Sequence, residues 1–294
     1  MQIDIVTVFP EMIEAALDHS IVKRAMERGL IAIRVVNLRD FTTDRHKTTD
    51  DAPYGGGGGM VMKIEPIDRA LSALTRTENE TTAPKESSAE QDGALRRRPR
   101  ILLTDPRGRQ FTQERAQEWA RESHLIILCG HYEGVDDRVR QHLITEEVSI
   151  GDYILTGGEL PALVIVDAVT RLQPGALGDA DAPDKDTFSN HLLEYPHYTR
   201  PRSYRGWETP EILFSGHHAI IERWRRWHQL RATRERRPDL FARLELSPND
   251  WKLLDSEEPQ APPLPKRRAY PTEPSAGKNG IETEETDGTD EGDY

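Results

Sequence analysis

Apolar and polar residues alternate along Met1-Gln2-Ile3-Asp4-Ile5-Val6-Thr7-Val8-Phe9, the two-residue period that predicts a strand over residues 2–9. Pro10-Glu11-Met12-Ile13 then opens a helix, because proline suits a first turn whose N–H lacks a partner. The amphipathic pattern runs to Arg28, and Gly29 closes it. Further along, the pattern predicts a strand at 31–38, a helix at 65–74 and a strand at 101–104. A helix at 112–121, a strand at 125–128 and an apolar run at 144–150 follow, and then an apolar helix at 160–172 that Gln173-Pro174-Gly175 breaks. Strands alternating with helices predict an α/β fold built on a parallel sheet.

Two glycine-bearing loops interrupt that alternation. One reads Cys129-Gly130-His131-Tyr132-Glu133-Gly134-Val135-Asp136, the other Ser149-Ile150-Gly151-Asp152-Tyr153-Ile154-Leu155-Thr156-Gly157-Gly158-Glu159. Each follows an apolar run and precedes a segment able to form a helix. Both therefore leave the same edge of a parallel sheet, where open α/β sheets bind ligands. Glycines there let backbone polar groups approach a ligand that no side chain could sit beside. Such a pocket suits a purine.

The rest of the chain divides by composition. Residues 75–98 are rich in Glu, Thr, Ser and Ala with almost no aliphatic content, and read as an insertion. Residues 179–190 are rich in aspartate with alanine and proline near their start, and read as a flexible linker. Helices are predicted at 219–229 and near 248–254, giving a small helical part over 191–254 after a sheet domain over 1–178. From Asp255 to the C-terminus eleven acidic residues outnumber four basic ones among prolines, glycines and threonines, which marks a solvated, disordered tail.

That tail changes the meaning of the net charge of −12. Between Pro196 and Pro238 ten arginines face four glutamates, with Tyr198, Tyr204, Trp207, Trp224 and Trp227 interleaved. Arginine with aromatic rings suits RNA phosphates and unstacked bases; the alternative is a solvated arginine helix with Trp224 and Trp227, at helical spacing, in the core. No apolar stretch approaches membrane-spanning length and the N-terminus is not a signal peptide, so the expectation is a cytoplasmic protein with no membrane partner. The single cysteine, Cys129, excludes an intrachain disulfide framework and a cysteine-cluster metal site, and reads as a buried strand-end thiol. His46 and His131 lack zinc spacing.

The glycine run Gly55-Gly56-Gly57-Gly58-Gly59 fails the dinucleotide fingerprint, because Met60 takes the sixth place and the preceding segment is polar. No glycine precedes Lys and then Ser or Thr, so the nucleoside-triphosphate loop is also absent. Cofactors held by loop backbone without a diphosphate remain, and S-adenosylmethionine leads them.

Four ordered segments carry a resemblance: Asp50-Asp51-Ala52-Pro53-Tyr54-Gly55-Gly56-Gly57, Gly130 to Asp136, Ile150 to Glu159, and Tyr195-Pro196-His197-Tyr198-Thr199-Arg200-Pro201. Together they resemble the bacterial tRNA (guanine-N1)-methyltransferase family, TrmD, over residues 1–254 apart from the insertion. The resemblance implies a SPOUT-type α/β fold with a C-terminal trefoil knot in its sheet domain. It also implies a homodimer with active sites shared between subunits, and a helical domain that grips the tRNA anticodon arm. The implied reaction is methylation of N1 of guanosine 37 by S-adenosylmethionine, with magnesium dependence at an unassigned metal site. The cofactor residues it implies are Pro106, Gly130, Tyr132, Glu133, Ile150, Gly151, Tyr153, Leu155, Gly157 and Gly158, with Leu103 at a position near the adenine that is otherwise aromatic.

Guanine N1 carries a proton at neutral pH and cannot attack a sulfonium methyl until a base removes it. The resemblance assigns that base to Asp186 and gives Arg171 the charge that develops on O6. Without it, Asp186 would be one linker aspartate among several and Arg171 a helix-end cation. Glu133 fits cofactor positioning or a metal-linked role. Departures from the family pattern are Gly58, where proline is common, Leu103, His191 for a glycine and His217 for an asparagine. A SPOUT enzyme acting on a ribose 2′-oxygen or another base, and a noncatalytic RNA-binding module, are the alternatives; product analysis and cofactor calorimetry separate them.

Overall fold

The computed structural model describes residues 1–76, 98–178, 186–188 and 191–261. Most of the expected insertion and acidic tail, and much of the linker, lie outside the described residues. The sheet is parallel throughout, in the order β2-β1-β6-β5-β7. Its strands are β1 (Gln2–Thr7), β2 (Ala32–Asn37), β5 (Arg100–Gln110), β6 (His124–Cys129) and β7 (Glu146–Ser149). Two short strands, β3 (Asp50–Asp51) and β4 (Val61–Met62), form a separate antiparallel hairpin around the glycine run.

Alternation along the central strands builds two cores, one on each face. Ile3, Ile5, Leu125 and Ile127 pack with Trp119 of α4 (Gln113–Trp119) and with Ala162, Ile165, Val166 and Val169 of α6 (Glu159–Arg171). Ile13 of α1 (Pro10–Leu17) and Val22 of α2 (Ser20–Glu27) join that layer. On the other face Val6, Ile126 and Leu128 meet Ile67 and Leu71 of α3 (Ile64–Thr75) and Val139 of α5 (Asp137–His142). The result is a three-layer α/β/α arrangement. A third cluster, Leu192, Leu230, Leu253 and Leu254, centres on α7 (His218–Arg236) and α9 (Pro248–Leu254), with the one-turn α8 (Pro238–Phe241) between them.

Several expectations are corrected. The single helix predicted over 10–28 is two, broken at Asp18–His19. Leu17 and Val22 are five residues apart, which on a continuous helix would turn them roughly 140° away from each other; the break lets both face the same core. The strand predicted at 101–104 runs on to Gln110, and its pairing with β7 is interrupted by an irregularity between Thr104 and Arg109. The helix predicted over 219–229 extends to Arg236, since nothing disfavours helix before Pro238. Trp224 is buried and donates through Nε1 to Glu258 Oε1 at 2.7 Å, while His228 Nε2 lies 3.0 Å from the same oxygen. Trp227 is partly buried against the third cluster. Among the described residues no helix is long and apolar enough to cross a membrane.

A buried carboxylate anchors β1. Asp4 accepts from Arg34 Nε and Nη2 at 2.9 and 2.8 Å, and lies 2.8 Å from His124 Nε2. Burial alone would raise its pKa, but hydrogen bonds from His124, Arg34 and Gln2 outweigh that and hold it at about 2. A carboxyl depressed from 3.8 to about 2 contributes about 2 kcal/mol at pH 7, and that contribution is lost as pH falls toward the folded value. Asp4→Asn should therefore lower stability in urea at pH 7 by about 2 kcal/mol. The gap to wild type should narrow by about half near pH 3, and a gap independent of pH would contradict the assignment.

Candidate functional site

The sheet order sets β5 between β6 and β7, so the segments leaving all three C-terminal ends meet at one edge. They enclose a cleft of about 310 Å³, within the range of small-molecule sites. Ten of the eleven residues predicted for the cofactor line it: Pro106, Gly130, Tyr132, Glu133, Ile150, Gly151, Tyr153, Leu155, Gly157 and Gly158. Leu103 does not. It is fully buried in the second core, and its Cδ1 lies 3.8 Å from where a Cβ on Gly130 would be, so it supports the floor without lining it. Thr104, Arg107, His131, Ser149, Ile154 and Thr156 also line the cleft; their only sequence signal was membership of the same segments.

The two glycine loops are bonded to each other. The N–H of Gly158 donates to the Gly130 carbonyl at 2.7 Å, the N–H of Gly130 donates to Thr104 Oγ1 at 3.3 Å, and His131 bridges Gly157 in antiparallel fashion. A Cβ on Gly158 would run into the Thr104 hydroxyl and come within 2.7 Å of the Gly130 nitrogen and 2.8 Å of Cys129 Cα. Two of those neighbours are backbone and cannot swing aside. Gly158→Ala should thus cost about 1–3 kcal/mol of stability or more and weaken cofactor binding by calorimetry. Wild-type affinity in a fully folded variant would show that the close approach does not shape the cleft.

The glycine run reaches this edge too. The N–H of Glu133 donates to the Met60 carbonyl at 3.0 Å and that of Met62 to the Gly134 carbonyl at 2.9 Å. A Cβ on Gly59 would lie 2.8 Å from Glu133 Cδ, so the run presses on the Glu133 side chain. The sequence offered no signal for this neighbourhood, because it depends on pairing between segments about seventy residues apart.

Charges at the cleft are mostly paired. Arg107 clamps Asp105 through Nε and Nη2 at 3.0 and 3.1 Å. Burial pushes the Asp105 carboxyl up, yet the Arg107 hydrogen bonds hold it below the usual carboxylate range. Glu159, at the start of α6, is buried and accepts from Thr7 Oγ1 at 2.7 Å, and Thr7 Oγ1 in turn accepts from the Phe9 N–H at 2.9 Å. Cys129 is fully buried; burial, with Glu159 nearby, raises its thiol well above the ordinary value, which leaves it no nucleophilic role. Among the described residues no group of three His, Cys, Asp or Glu could hold a metal ion.

Asp186 and Arg171 are brought together, but away from the cleft. Arg171 Nη2 donates to Asp186 Oδ2 at 2.6 Å, with each side chain about one-third exposed, 37% and 33%. Arg171 ends α6, whose thirteen residues span roughly 18 Å from the Glu159 end at the cleft. In such a pair, open to solvent, the carboxylate can accept a proton and the guanidinium can offset developing negative charge.

The family model described as tRNA (Guanine-1)-methyltransferase TrmD matches residues 1–243. The chain is 52% identical over 254 residues to a tRNA (guanine-N(1)-)-methyltransferase of Desulforamulus reducens, covering 86% of this chain and 94% of that protein. Similar enzymes of Brevibacillus brevis and Moorella thermoacetica are 50% and 51% identical over 86% and 87% of this chain, and 97% and 96% of theirs.

Proposed function

The chain belongs to the tRNA (guanine-1)-methyltransferase TrmD family, and from that premise we propose that it methylates N1 of guanosine 37 in tRNA, using S-adenosylmethionine, in the cytoplasm. The observation that carries this reading is the backbone-lined cleft at the β6-β5-β7 edge, together with the Asp186–Arg171 pair. The cleft fits the donor in its size, in the apolar Ile150 and Leu155 available to a purine, and in the side-chain-free wall that Gly130 and Gly151 give it. The ten cleft residues predicted from the sequence would hold it. When bound, S-adenosylmethionine supplies an electrophilic methyl group on a sulfonium.

The protein's own contribution is proton handling and alignment. Asp186 removes the N1 proton of the guanine and keeps it on its carboxyl. The negative charge pushed toward O6 is then met by the Arg171 guanidinium. Transfer is a direct displacement, accelerated chiefly by holding N1 in line with the donor, and Cys129 takes no part.

A second copy of the chain belongs to the proposal. With Arg171 roughly 18 Å along α6 from its own cleft, the pair is better placed to serve the cleft of a partner. Leu160 and Val164, 46% and 45% exposed, sit one turn apart on α6 beside a shallow groove formed with Ile150, Tyr153, Leu155 and Leu163. An apolar stripe of that kind suits a helix of the second subunit. The SPOUT knot is part of the same reading, and the tight passage of Gly158 against Cys129 and Gly130 supports it. The helical part around α7 would take the anticodon arm, and a magnesium requirement accompanies the family chemistry. Incubation with undermodified tRNA and methyl-labelled donor should place the label on N1 of guanosine 37; label on a ribose or another base would refute the reading.

A further inference from the structure

The aromatic residues that the sequence interleaves with arginine divide into two groups in the fold. Trp224 and Trp227 pack and donate to Glu258 and Ser256. Among the described residues, Tyr204 and Trp207 have neither a core to pack in nor an acceptor for their polar atoms. They stand on a hairpin of β8 (Ser203–Tyr204) and β9 (Trp207–Glu208), with the register Tyr204 opposite Trp207. Its two-residue turn, Arg205-Gly206, has φ of 54° and 81°, the left-handed pair that a type I′ turn requires and that matches the strand twist.

All four strand residues are exposed. Trp207 is 70% exposed and Tyr204 52%, with ring centroids 6.1 Å apart. An isolated two-stranded hairpin is marginally stable in water, so this one spends its two rings where they bury little. The Arg205 guanidinium lies 5.1 Å from the Tyr204 ring, and Arg202 lies 4.4 Å from the half-exposed ring of Phe214. The acids nearby are engaged: Ser203 donates to Glu208, and Arg202 pairs with Glu211.

We propose that this hairpin is a stacking platform for an unpaired nucleotide of the tRNA, an inference that rests on the function proposed above and specifies how the RNA is gripped. Aromatic faces stack on any base, and arginine on the same tip answers the attached phosphate. The excess of arginine over glutamate between Pro196 and Pro238 favours a polyanion over a protein as the occupant. Trp224 and Trp227 of α7 contribute shape, and the hairpin contributes the contact.

The test uses the full chain and undermodified tRNA. Trp207→Ala should raise the tRNA KM about tenfold, the loss of one base stack, with S-adenosylmethionine affinity unchanged, and Trp207→Phe should restore most of it. In direct binding, wild type should prefer an anticodon stem-loop over a fully paired duplex of equal phosphate count, and Trp207→Ala should lose that preference. An unchanged KM in both Trp207→Ala and Tyr204→Ala overturns the inference, as does an equal loss for stem-loop and duplex. A shift of the variant to a smaller species in gel filtration also overturns it, by making the hairpin a contact between copies. If wild type methylates no tRNA, the proposed function itself fails; normal methylation with unaltered variants sinks the hairpin alone.

Discussion

Asp186→Ala should abolish most methyl transfer while leaving the cofactor bound. Removing a general base typically costs on the order of 10²–10⁴ in rate, and Asp186 is separated from its own cleft by the length of α6. Single-turnover assays with saturating tRNA should record the loss, and calorimetry should return a cofactor affinity close to wild type. Asp186→Asn refines the result, since it keeps a partner for Arg171 yet cannot take a proton in the same way. Near-wild-type turnover in either variant would remove Asp186 from the mechanism. A matching loss of cofactor affinity would mean that the residue shapes the cleft instead.

A mixture of Asp186→Ala with Gly158→Ala, at a donor concentration below the weakened affinity of the latter so that neither turns over alone, should regain activity. In a dimer with shared sites, Asp186→Ala supplies an intact cleft and Gly158→Ala supplies an intact Asp186–Arg171 pair. Co-expressed chains assort into about half mixed dimers, each with one complete site, so activity should recover to about a quarter of wild type. If each subunit served itself, a mixed dimer would have no complete site and the mixture would stay inactive. The outcome separates the two architectures by presence against absence of turnover.

The parallel alternation and the meeting of the two glycine loops were legible in the sequence because both depend on short-range pattern. Strand periodicity fixes which faces are apolar, and right-handed βαβ connections send successive loops to one edge. What depends on distant contacts was not legible. Nothing local in residues 10–28 marks the break at Asp18–His19 except the five-residue step from Leu17 to Val22, a phase slip that is easy to read as noise. Gly59 reaches Glu133 only through the pairing of Met60 and Met62 with 133–134. Leu103 follows strand alternation into the core, so a carried-over position beside a ligand became a floor residue. The hairpin of β8 and β9 was missed because its turn, Arg205-Gly206, is flanked by only two paired residues on each side, too few for a period to declare itself.

Glu258 lies only four residues beyond the last helix, where the composition already turns acidic, yet it receives the Trp224 indole N–H at 2.7 Å and sits 3.0 Å from His228. A truncation placed at the end of α9 would strip an indole donor of its acceptor in the interior of the helical part. Shortened forms of this enzyme should therefore retain residues through Glu258, whose carboxylate serves the helical part although its charge groups it with the acidic extension.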